Sequence, residues 1–343
     1  MSIEVKVLKD GDEARWDEFV FAHERATFFH RAGWKQVLKD SFSHPSHYLY
    51  TEKDGRITGI LPLVRIRSRL FANGLISLPF CVGGGPLSTD EESRAALDSA
   101  AEGLMRKTGA EYLEYRGCAD VPGAWQVKDD LYFNFAREMP EEEAETLKAI
   151  PRKQRAVVRK ALKSDLTWRI ERDIEPFFSL YAASLRNLGT PAFPRSLFRN
   201  LLSVFGEDCD ILTVYDGQTP LSSVMSFYFR DRVMPYYTGA APAARRLGGA
   251  DLMYWRLMRQ AIENGRPVFD FGRSKAGTGP FSFKKNWGFT PEPIPHAYLM
   301  RDGGPVPEIN PNNPKYRLFI AAWKKLPVGL ANLLGPLIVR NIG

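Results

Sequence analysis

The chain of 343 residues is poor in cysteine and has no long apolar run. Its three cysteines, Cys81, Cys118 and Cys209, are widely spaced and form no Cys-x-x-Cys pair. This spacing argues against a disulfide framework and is typical of a reducing compartment. No run of about 20 apolar residues occurs, so we expect no membrane-spanning helix. The first ten residues lack a basic segment followed by an apolar core, so we expect no signal peptide and a cytoplasmic protein.

Signals for several kinds of catalytic centre are also missing. None of the five histidines lies in a cluster with cysteines or carboxylates, so no metal site is predicted. The Gly-x-Ser-x-Gly elbow of serine hydrolases does not occur. The formal net charge is +7, a moderate excess that indicates anionic ligands without requiring a nucleic acid. The bases gather in one helix without interleaved aromatic residues, so we expect no DNA partner.

One order of elements is predicted twice along the chain. In the first half the pattern predicts strands at 48–51 and 57–66, a helix at 91–107 and a strand at 112–117. In the second half it predicts strands at 211–215, 220–229 and 233–238, a helix at 250–264 and a strand at 268–272. An Asp-Gly turn follows the first strand of each set. The repetition predicts an α/β (α+β) chain of two related tandem domains.

Charge and proline mark the predicted domain boundaries. The acidic run 141–145 begins one helix and Pro151 begins the next. The limits we predict are 1–145 for the first domain, 146–300 for the second, and 301–343 for a Pro-rich tether with an amphipathic C-terminal helix. The C-terminal segment carries an apolar stripe beside Lys324 and Lys325. Two interpretations stay open for it, contact with an anionic membrane surface and docking on the folded body.

The loop before the second-half helix fits the spacing Arg/Gln-x-x-Gly-x-Gly/Ala. Its matching residues are Arg245, Gly248, Gly249 and Ala250. The glycines let backbone N–H groups converge at a helix N-terminus, and the arginine adds a full positive charge. The spacing predicts a pyrophosphate site at these four residues. The alternative is a solvated basic turn that caps the helix.

A basic helix is predicted from Pro151 to Ser164. Its bases recur at helical spacing, at Arg152, Arg155, Arg159 and Lys163. No acidic residue lies between Thr146 and Ser164, so an anionic ligand or a phosphate-bearing lipid would offset the repulsion. A simple solvated face is the alternative interpretation.

The segment 269–289 joins an apolar strand, a glycine-rich turn and an aromatic-lysine cluster. This combination favours a grip on a phosphorylated substrate, with Arg273 and Lys285 as bases and Phe283 and Lys284 lining a cleft. The alternative is a closing strand whose aromatic residues enter the core while the lysines point outward. Asp270 is interpreted either as a general base or orienting carboxylate, or as a turn-capping or salt-bridged residue.

Three stretches carry a resemblance to a known family. They are 151–161, 184–191, and 269–274 together with Phe283-Lys284. On these residues the chain resembles the FemAB-like branch of the GNAT acyltransferase superfamily. It looks most like the FemAB relatives associated with PEP-CTERM exosortase and exopolysaccharide loci. The resemblance covers nearly the whole chain and implies tandem GNAT domains, each with a mixed central sheet flanked by helices.

The resemblance also implies roles for particular residues. Phe283 and Lys284 match the family's pair at the transfer site, and Arg155 and Arg159 match its phosphate-binding bases. The loop 245–250 matches the acyl-CoA pyrophosphate motif. We find no long heptad insertion like the tRNA-associated arm of peptidoglycan-bridge enzymes. This absence counts against an aminoacyl-tRNA donor and leaves acyl-CoA open. The co-substrate expected is acyl-CoA, or else aminoacyl-tRNA, with tRNA a partner only in the second case and no cofactor bound permanently.

These observations predict an acyltransferase or aminoacyltransferase that forms an amide or ester on a cell-envelope glycan or lipid-linked precursor of peptidoglycan or exopolysaccharide. In the mechanism, Lys284 stabilises negative charge or holds a phosphate, and Tyr236 or Tyr237 protonates the leaving group. The expected partners are a phosphorylated or lipid-linked glycan acceptor and, peripherally, the anionic inner membrane. Only the second half is expected to bind a donor. The alternative function is a non-catalytic GNAT-like module that binds anionic lipid or glycan precursors for an export system.

Overall fold

The computed structural model describes residues 3–68, 73–306 and 317–342. The contacts divide the chain into two compact units. The first comprises Met1–Asp130, Ile294–Asn310 and Ile338–Gly343, and the second comprises Leu131–Pro293 and Pro311–Leu337. The predicted domain limits at residues 145 and 300 stay a prediction.

Both units mix helices and strands along the chain. Up to residue 130 the elements are β1 (Glu4–Val7), α1 (Glu13–Ala22), α2 (Gly33–Phe42), β2 (Ser46–Lys53), β3 (Arg56–Arg67), β4 (Asn73–Ser77), β5 (Leu87–Ser88), α3 (Glu91–Thr108), β6 (Tyr112–Arg116) and β7 (Gln126–Lys128). From residue 131 to 205 they are β8 (Tyr132–Asn134), β9 (Ala136–Glu138), α4 (Glu143–Ala149), α5 (Arg152–Leu162), β10 (Thr167–Glu171), α6 (Ile174–Leu188) and α7 (Arg195–Phe205). The remaining elements are β11 (Cys209–Asp216), β12 (Thr219–Phe229), β13 (Arg232–Ala240), α8 (Pro242–Leu247), α9 (Gly249–Glu263), β14 (Val268–Asp270), β15 (Ser274–Lys275), α10 (Gly279–Asn286), β16 (Glu292–Pro293), β17 (His296–Met300), α11 (Arg317–Trp323) and α12 (Val328–Val339).

The first unit is built on a mixed sheet with the strand order β1-β2-β3-β4-β6-β17-β7, and β5 pairs with β3. Among its described strands, only β4 and β6 pair in parallel. Helix α3 crosses between them and buries Leu97, Ala101 and Met105 in the core. The sequence defines this helix at both ends, because Asp90 accepts a hydrogen bond from the Ser93 N–H and Gly109 ends it in the left-handed conformation.

The second unit repeats this plan with the strand order β10-β11-β12-β13-β14-β9. Here β13 and β14 are the parallel pair, and α9 crosses between them. Helix α6 packs on β13 at Gly239, where an added Cβ would lie 2.2 Å from the Tyr181 nitrogen. Only glycine allows this approach. Strands β15, β8 and β16 form a separate small sheet.

The two sets of elements therefore agree in order and in the place of the parallel pair. Strands β2, β3 and β4 with α3 and β6 correspond to β11, β12 and β13 with α9 and β14. This agreement confirms the predicted α/β (α+β) architecture with mixed central sheets flanked by helices.

The alternative of a closing strand at residues 281–289 is wrong. Residues Gly279–Asn286 form helix α10, with Pro280 in its first turn, where its fixed φ favours a helix and its missing N–H costs nothing. Lys284 is therefore not on an outward face of a strand but is buried.

The C-terminal region contains the predicted short helices, α11 and α12. The prolines at 307, 311 and 314 in the predicted tether lie outside the described residues. Within the described parts of the chain, no helix has both the length and the apolar character needed to cross a bilayer.

All three cysteines are buried, and none of them is joined to another in a disulfide. Cys81 and Cys118 belong to the first unit and Cys209 to the second. This state agrees with the prediction that the chain has no disulfide framework.

Candidate active site

Lys284 lies at the centre of the candidate site, where helix α10 faces the end of β14. Its side chain is buried, and its Nζ donates to the carbonyl oxygens of Gly272 at 2.8 Å and Arg273 at 3.1 Å. The ammonium also lies 5.5 Å from the centre of the Phe135 ring. Burial lowers the pKa of Lys284 to about 7, although the charge of Asp270 works against this shift.

The turn after β14 presents these carbonyls because Asp270 holds it. Gly272 has a left-handed φ of 66°, and its N–H donates to the Asp270 carboxylate at 2.8 Å. The other Asp270 oxygen accepts a hydrogen bond from Arg232 at 3.0 Å. Asp270 thus has the geometry of a turn-capping, salt-bridged residue, and a general-base role for it stays a prediction. Arg232 was missed by sequence reasoning because its contact follows from the register of β13 and β14, which no motif reveals.

Flat aromatic and basic groups surround the buried lysine. The half-buried Phe283 ring lies 5.6 Å from the Tyr254 ring. Arg273 stacks on Tyr132 at 4.4 Å, while Lys285 is exposed on the solvent side of α10. The structure therefore brings together five predicted site residues, and we call this group the Lys284 cluster. Its members are Asp270, Arg273, Phe283, Lys284 and Lys285.

Tyr237 lies elsewhere in the unit. Its ring contacts Phe198 of α7 at 5.3 Å and Tyr181 of α6 at 6.1 Å, on one face of β13. Tyr236 lies against Phe227 at 5.2 Å. The structure does not place the Tyr237 ring in the Lys284 cluster.

Tyr254 of α9 lies on the opposite face of β13. The next residue after Tyr237, Thr238, forms a side-chain hydrogen bond with Tyr254. Because successive residues of a strand point to opposite faces, Tyr254 and not Tyr237 shares a face with Phe283. Burial raises the pKa of Tyr254 to about 12, so its phenol is protonated at neutral pH. Sequence reasoning missed Tyr254, because its position in the sequence of α9 does not distinguish it from an aromatic residue of the core.

The predicted pyrophosphate loop is packed against helix α5. Arg245 is exposed on helix α8, Gly248 is left-handed at φ 75°, and α9 begins at Gly249. An added Cβ on Gly248 would lie 3.0 Å from the Ala161 Cβ, so helix α5 packs directly on this turn. Ala250 follows in the first turn of α9. Gly248, Gly249 and Ala250 lie at the N-terminus of α9, while Arg245 lies in the last turn of α8, and a pyrophosphate site at these residues stays a prediction.

A carboxylate occupies the first turn of α9 as well. Asp251 accepts a hydrogen bond from the Gln154 side chain of α5. Burial raises the Asp251 pKa to about 6, although hydrogen bonds to its own backbone N–H and to Gln154 oppose the shift. A phosphate at this helix end would meet a negative charge whenever Asp251 is ionised.

Helix α5 holds the predicted acceptor-binding bases. Val158 faces the core, as predicted, while Arg159 is exposed and Arg155 is half-buried. The Arg155 Nε is buried, and no described residue accepts its hydrogen. Pro151, just before this helix, packs against Gly288 just after α10, so α5 begins beside the end of α10.

The first unit has a buried ion-pair group at the ends of its parallel strands β4 and β6. This position corresponds to that of the Lys284 cluster at the end of β14 in the second unit. Beyond the last paired residues of β4 and β6, the Arg116 N–H donates to the Ser77 side chain at 2.8 Å. The Arg116 guanidinium donates to Glu114 at 2.8 Å, and His296 contacts the same carboxylate at 3.2 Å. Burial disfavours the ionised Glu114, but Arg116 and His296 outweigh it and lower the Glu114 pKa to about 2.

Comparison with known protein families identifies a class of domains that part of the chain resembles. Residues 148–285 match the family model of the acetyltransferase (GNAT) domain, and this range contains Arg155, the 245–250 turn and Lys284. This segment is therefore similar to GNAT acyltransferase domains, a class whose members in general use acyl-CoA as co-substrate. No curated protein matches the chain.

Solved structures extend the likeness over both units. A crystal structure of FemX has a TM-score of 0.69 at 15% identity and covers 92% of this chain and 100% of its own. The C-terminal domain of a putative lysylphosphatidylglycerol synthetase from Agrobacterium fabrum has a TM-score of 0.57 at 13% identity, covering 85% and 92%. A tandem GNAT protein from the clavulanic acid biosynthesis pathway has a TM-score of 0.57 at 12% identity, covering 89% and 100%. At these identities the likeness concerns the fold, and it confirms the predicted tandem GNAT-like fold.

No metal centre accompanies the Lys284 cluster in the part of the chain that the structure describes. There, no group of three or more histidine, cysteine, aspartate or glutamate side chains is arranged to hold an ion.

Proposed function

We propose that the chain is an acyltransferase or aminoacyltransferase that forms an amide or ester on a cell-envelope glycan or lipid-linked precursor. The observation that carries the proposal is the burial of Lys284 at the end of β14. A buried ammonium costs free energy, so its retention beside two carbonyl oxygens favours a role in chemistry over a role in stability.

The proposed reaction is a direct acyl transfer. The acceptor amine or hydroxyl attacks the acyl carbonyl of the donor, a new C–N or C–O bond forms, and the thioester or ester bond breaks. The proton lost by the acceptor ends on the leaving sulfur or oxygen. Lys284 stabilises the negative charge that develops on the carbonyl oxygen, and holding the two reactants together supplies much of the rate.

Tyr254 is our candidate for the group that protonates the leaving atom. It lies on the face of β13 that carries Phe283, and its phenol is protonated at neutral pH. This assignment replaces Tyr237, whose ring packs among α6 and α7.

The acceptor is proposed to carry phosphate. Arg155 and Arg159 on α5 and Arg273 and Lys285 near α10 supply bases, and the orphaned Nε of Arg155 favours an anionic ligand there. The resemblance to FemAB-like enzymes supports a peptidoglycan or exopolysaccharide precursor. The link to PEP-CTERM loci, and a location on the cytoplasmic side of the inner membrane, belong to this proposal.

The donor is tested by binding. Calorimetry and thermal unfolding are measured with CoA, acetyl-CoA, and charged and uncharged tRNA; a ligand at 100 times its Kd adds about 2.7 kcal/mol of stability. Binding of CoA that is lost in Arg245→Ala identifies an acyl-CoA enzyme with its pyrophosphate at the 245–250 turn. Binding of charged tRNA alone identifies an aminoacyl ligase. Binding of neither favours the non-catalytic precursor-binding module.

Catalysis is tested with two neighbouring lysines. Lys284→Met is expected to abolish transfer from the donor so identified while donor binding persists, since the change removes the oxyanion's partner. Lys285→Met removes the exposed lysine one residue away, which is proposed to bind the acceptor, so it should raise the KM for the acceptor while kcat at saturating acceptor stays close to that of the parent. Equal turnover by the two variants would overturn the assignment of Lys284.

A further inference from the structure

Exposed leucines gather on the C-terminal helices. The exposed fraction is 84% for Leu318 of α11, and 42% and 69% for Leu330 and Leu333 of α12. Leu188, at the end of α6, is 63% exposed and lies next to Gly189, which packs against Ile320 of α11. Single exposed leucines are ordinary, but a group of them marks an interaction surface. We call Leu188, Leu318, Leu330 and Leu333 the C-terminal apolar group.

The faces of α11 and α12 opposite the exposed leucines pack on the second unit. Trp323 and Ala331 are buried, and the Lys324 carbonyl accepts a hydrogen bond from Arg186 at 3.2 Å. An added Cβ on Gly335 would lie 2.9 Å from the Ala192 carbonyl oxygen, so α12 also packs tightly at this point. The outward leucines are therefore presented by a docked scaffold.

The charge around the leucines has one sign. Residues 317–342 contain Arg317, Lys324, Lys325 and Arg340 and no aspartate or glutamate. Arg317, Lys324 and Lys325 are exposed. Leucines beside a basic fringe suit an anionic bilayer, where the leucines enter the headgroup boundary and the bases meet lipid phosphates. The two helices are too short to span and would lie along the surface.

We propose that α11 and the first turns of α12 form a docking surface for anionic phospholipid bilayers. Leu318, Leu330 and Leu333 insert at the interface, and Lys324 and Lys325 contact the lipid phosphates. The proposal goes beyond acyl transfer, and it is tested without any donor or acceptor. A failure of the transferase proposal therefore leaves its test unchanged.

The experiment is co-sedimentation of the full chain with vesicles. Vesicles of phosphatidylcholine mixed with phosphatidylglycerol are compared with vesicles of phosphatidylcholine alone. Leu330→Ser with Leu333→Ser should weaken binding to the mixed vesicles about tenfold or more. The matched control is Val7→Ser with Ile170→Ser, which removes exposed apolar side chains of 50% and 46% exposure elsewhere and should bind like the parent.

Charge is tested in the same assay. Lys324→Gln with Lys325→Gln should weaken binding about tenfold, and added salt should weaken binding by the parent chain. Lys107→Gln with Lys128→Gln removes two exposed lysines elsewhere and should have little effect. Equal binding to both kinds of vesicle, or no binding, overturns the proposal. A dimer in sedimentation velocity that Leu330→Ser with Leu333→Ser dissociates, without vesicle binding, assigns the surface to a second copy of the chain instead.

Discussion

Replacing Lys284 by methionine should change how the stability of the chain depends on pH. The folded-state pKa of Lys284 is about 7, against 10.5 for an unperturbed lysine. Below pH 7 the lysine is charged in both states, so the folded state bears the full cost of its burial. Between pH 7 and 10.5 the folded lysine releases its proton while the unfolded one keeps it. The parent chain should therefore gain stability relative to Lys284→Met as the pH rises through this window.

The size of the gain follows from the shift. Each pKa unit corresponds to about 1.4 kcal/mol, so the whole window is worth about 5 kcal/mol. Between pH 6 and pH 9, where unfolding is easily measured, the linkage relation gives a relative gain of about 3 kcal/mol. The absolute stabilities also contain the lost hydrogen bonds to Gly272 and Arg273. Only the change with pH is therefore diagnostic.

The assay is urea unfolding, followed by circular dichroism at a series of pH values, of the parent chain, Lys284→Met and Lys285→Met. Lys285→Met is the control, because it removes the neighbouring exposed lysine and leaves Lys284 in place. A difference between the parent and Lys284→Met that is constant from pH 6 to 9 would refute the reasoning. It would mean that the two carbonyl oxygens and Asp270 compensate the ammonium fully, so that its burial carries no net cost.

Three further predictions concern single residues. Tyr254→Phe should lower kcat at least about tenfold with little change in KM, because it removes the proposed proton donor. Tyr237→Phe should leave kcat largely unchanged. Steady-state kinetics in which Tyr237→Phe lowers kcat more than Tyr254→Phe would contradict the assignment. Asp251→Asn should raise the affinity for CoA at pH 7 about tenfold by removing the charge at the α9 N-terminus; calorimetry showing unchanged affinity would exclude a pyrophosphate at that turn. Asp210 has a pKa raised to about 6 mainly by burial, so Asp210→Asn should stabilise the chain by about 3 kcal/mol at pH 7 and by little below about pH 3, where the carboxyl is protonated in both states. The exposed Asp216→Asn is the control in urea unfolding.

The fold was predictable because its signals are local. Asp-Gly turns between apolar runs indicate hairpins, and the capping Asp90 and Gly109 delimit α3 with no knowledge of the rest. Helix α10 was harder, because the aromatic residues of 281–289 suit a buried strand as well as a helix. Pro280 was the available signal, since its fixed φ favours the first turn of a helix.

The site was predictable in its residue types and not in its geometry. The Phe283-Lys284 pair is a sequence feature, and the structure places both residues at the end of β14. The partners of the site depend on contacts distant in sequence. Arg232 reaches Asp270 through strand register, and Tyr254 is chosen over Tyr237 by which face of β13 meets α9. Neither relation leaves a local pattern.

Because all three thiols are buried, their labelling by a thiol reagent reports partial unfolding of the chain. A thiol reagent that cannot penetrate a folded core should label none of them in the native state. Opening of the first unit alone would release Cys81 and Cys118, and opening of the second alone would release Cys209. The ratio of labelled positions after a short exposure therefore reports whether the two halves of the chain unfold together or one before the other, with no mutation and no added fluorophore.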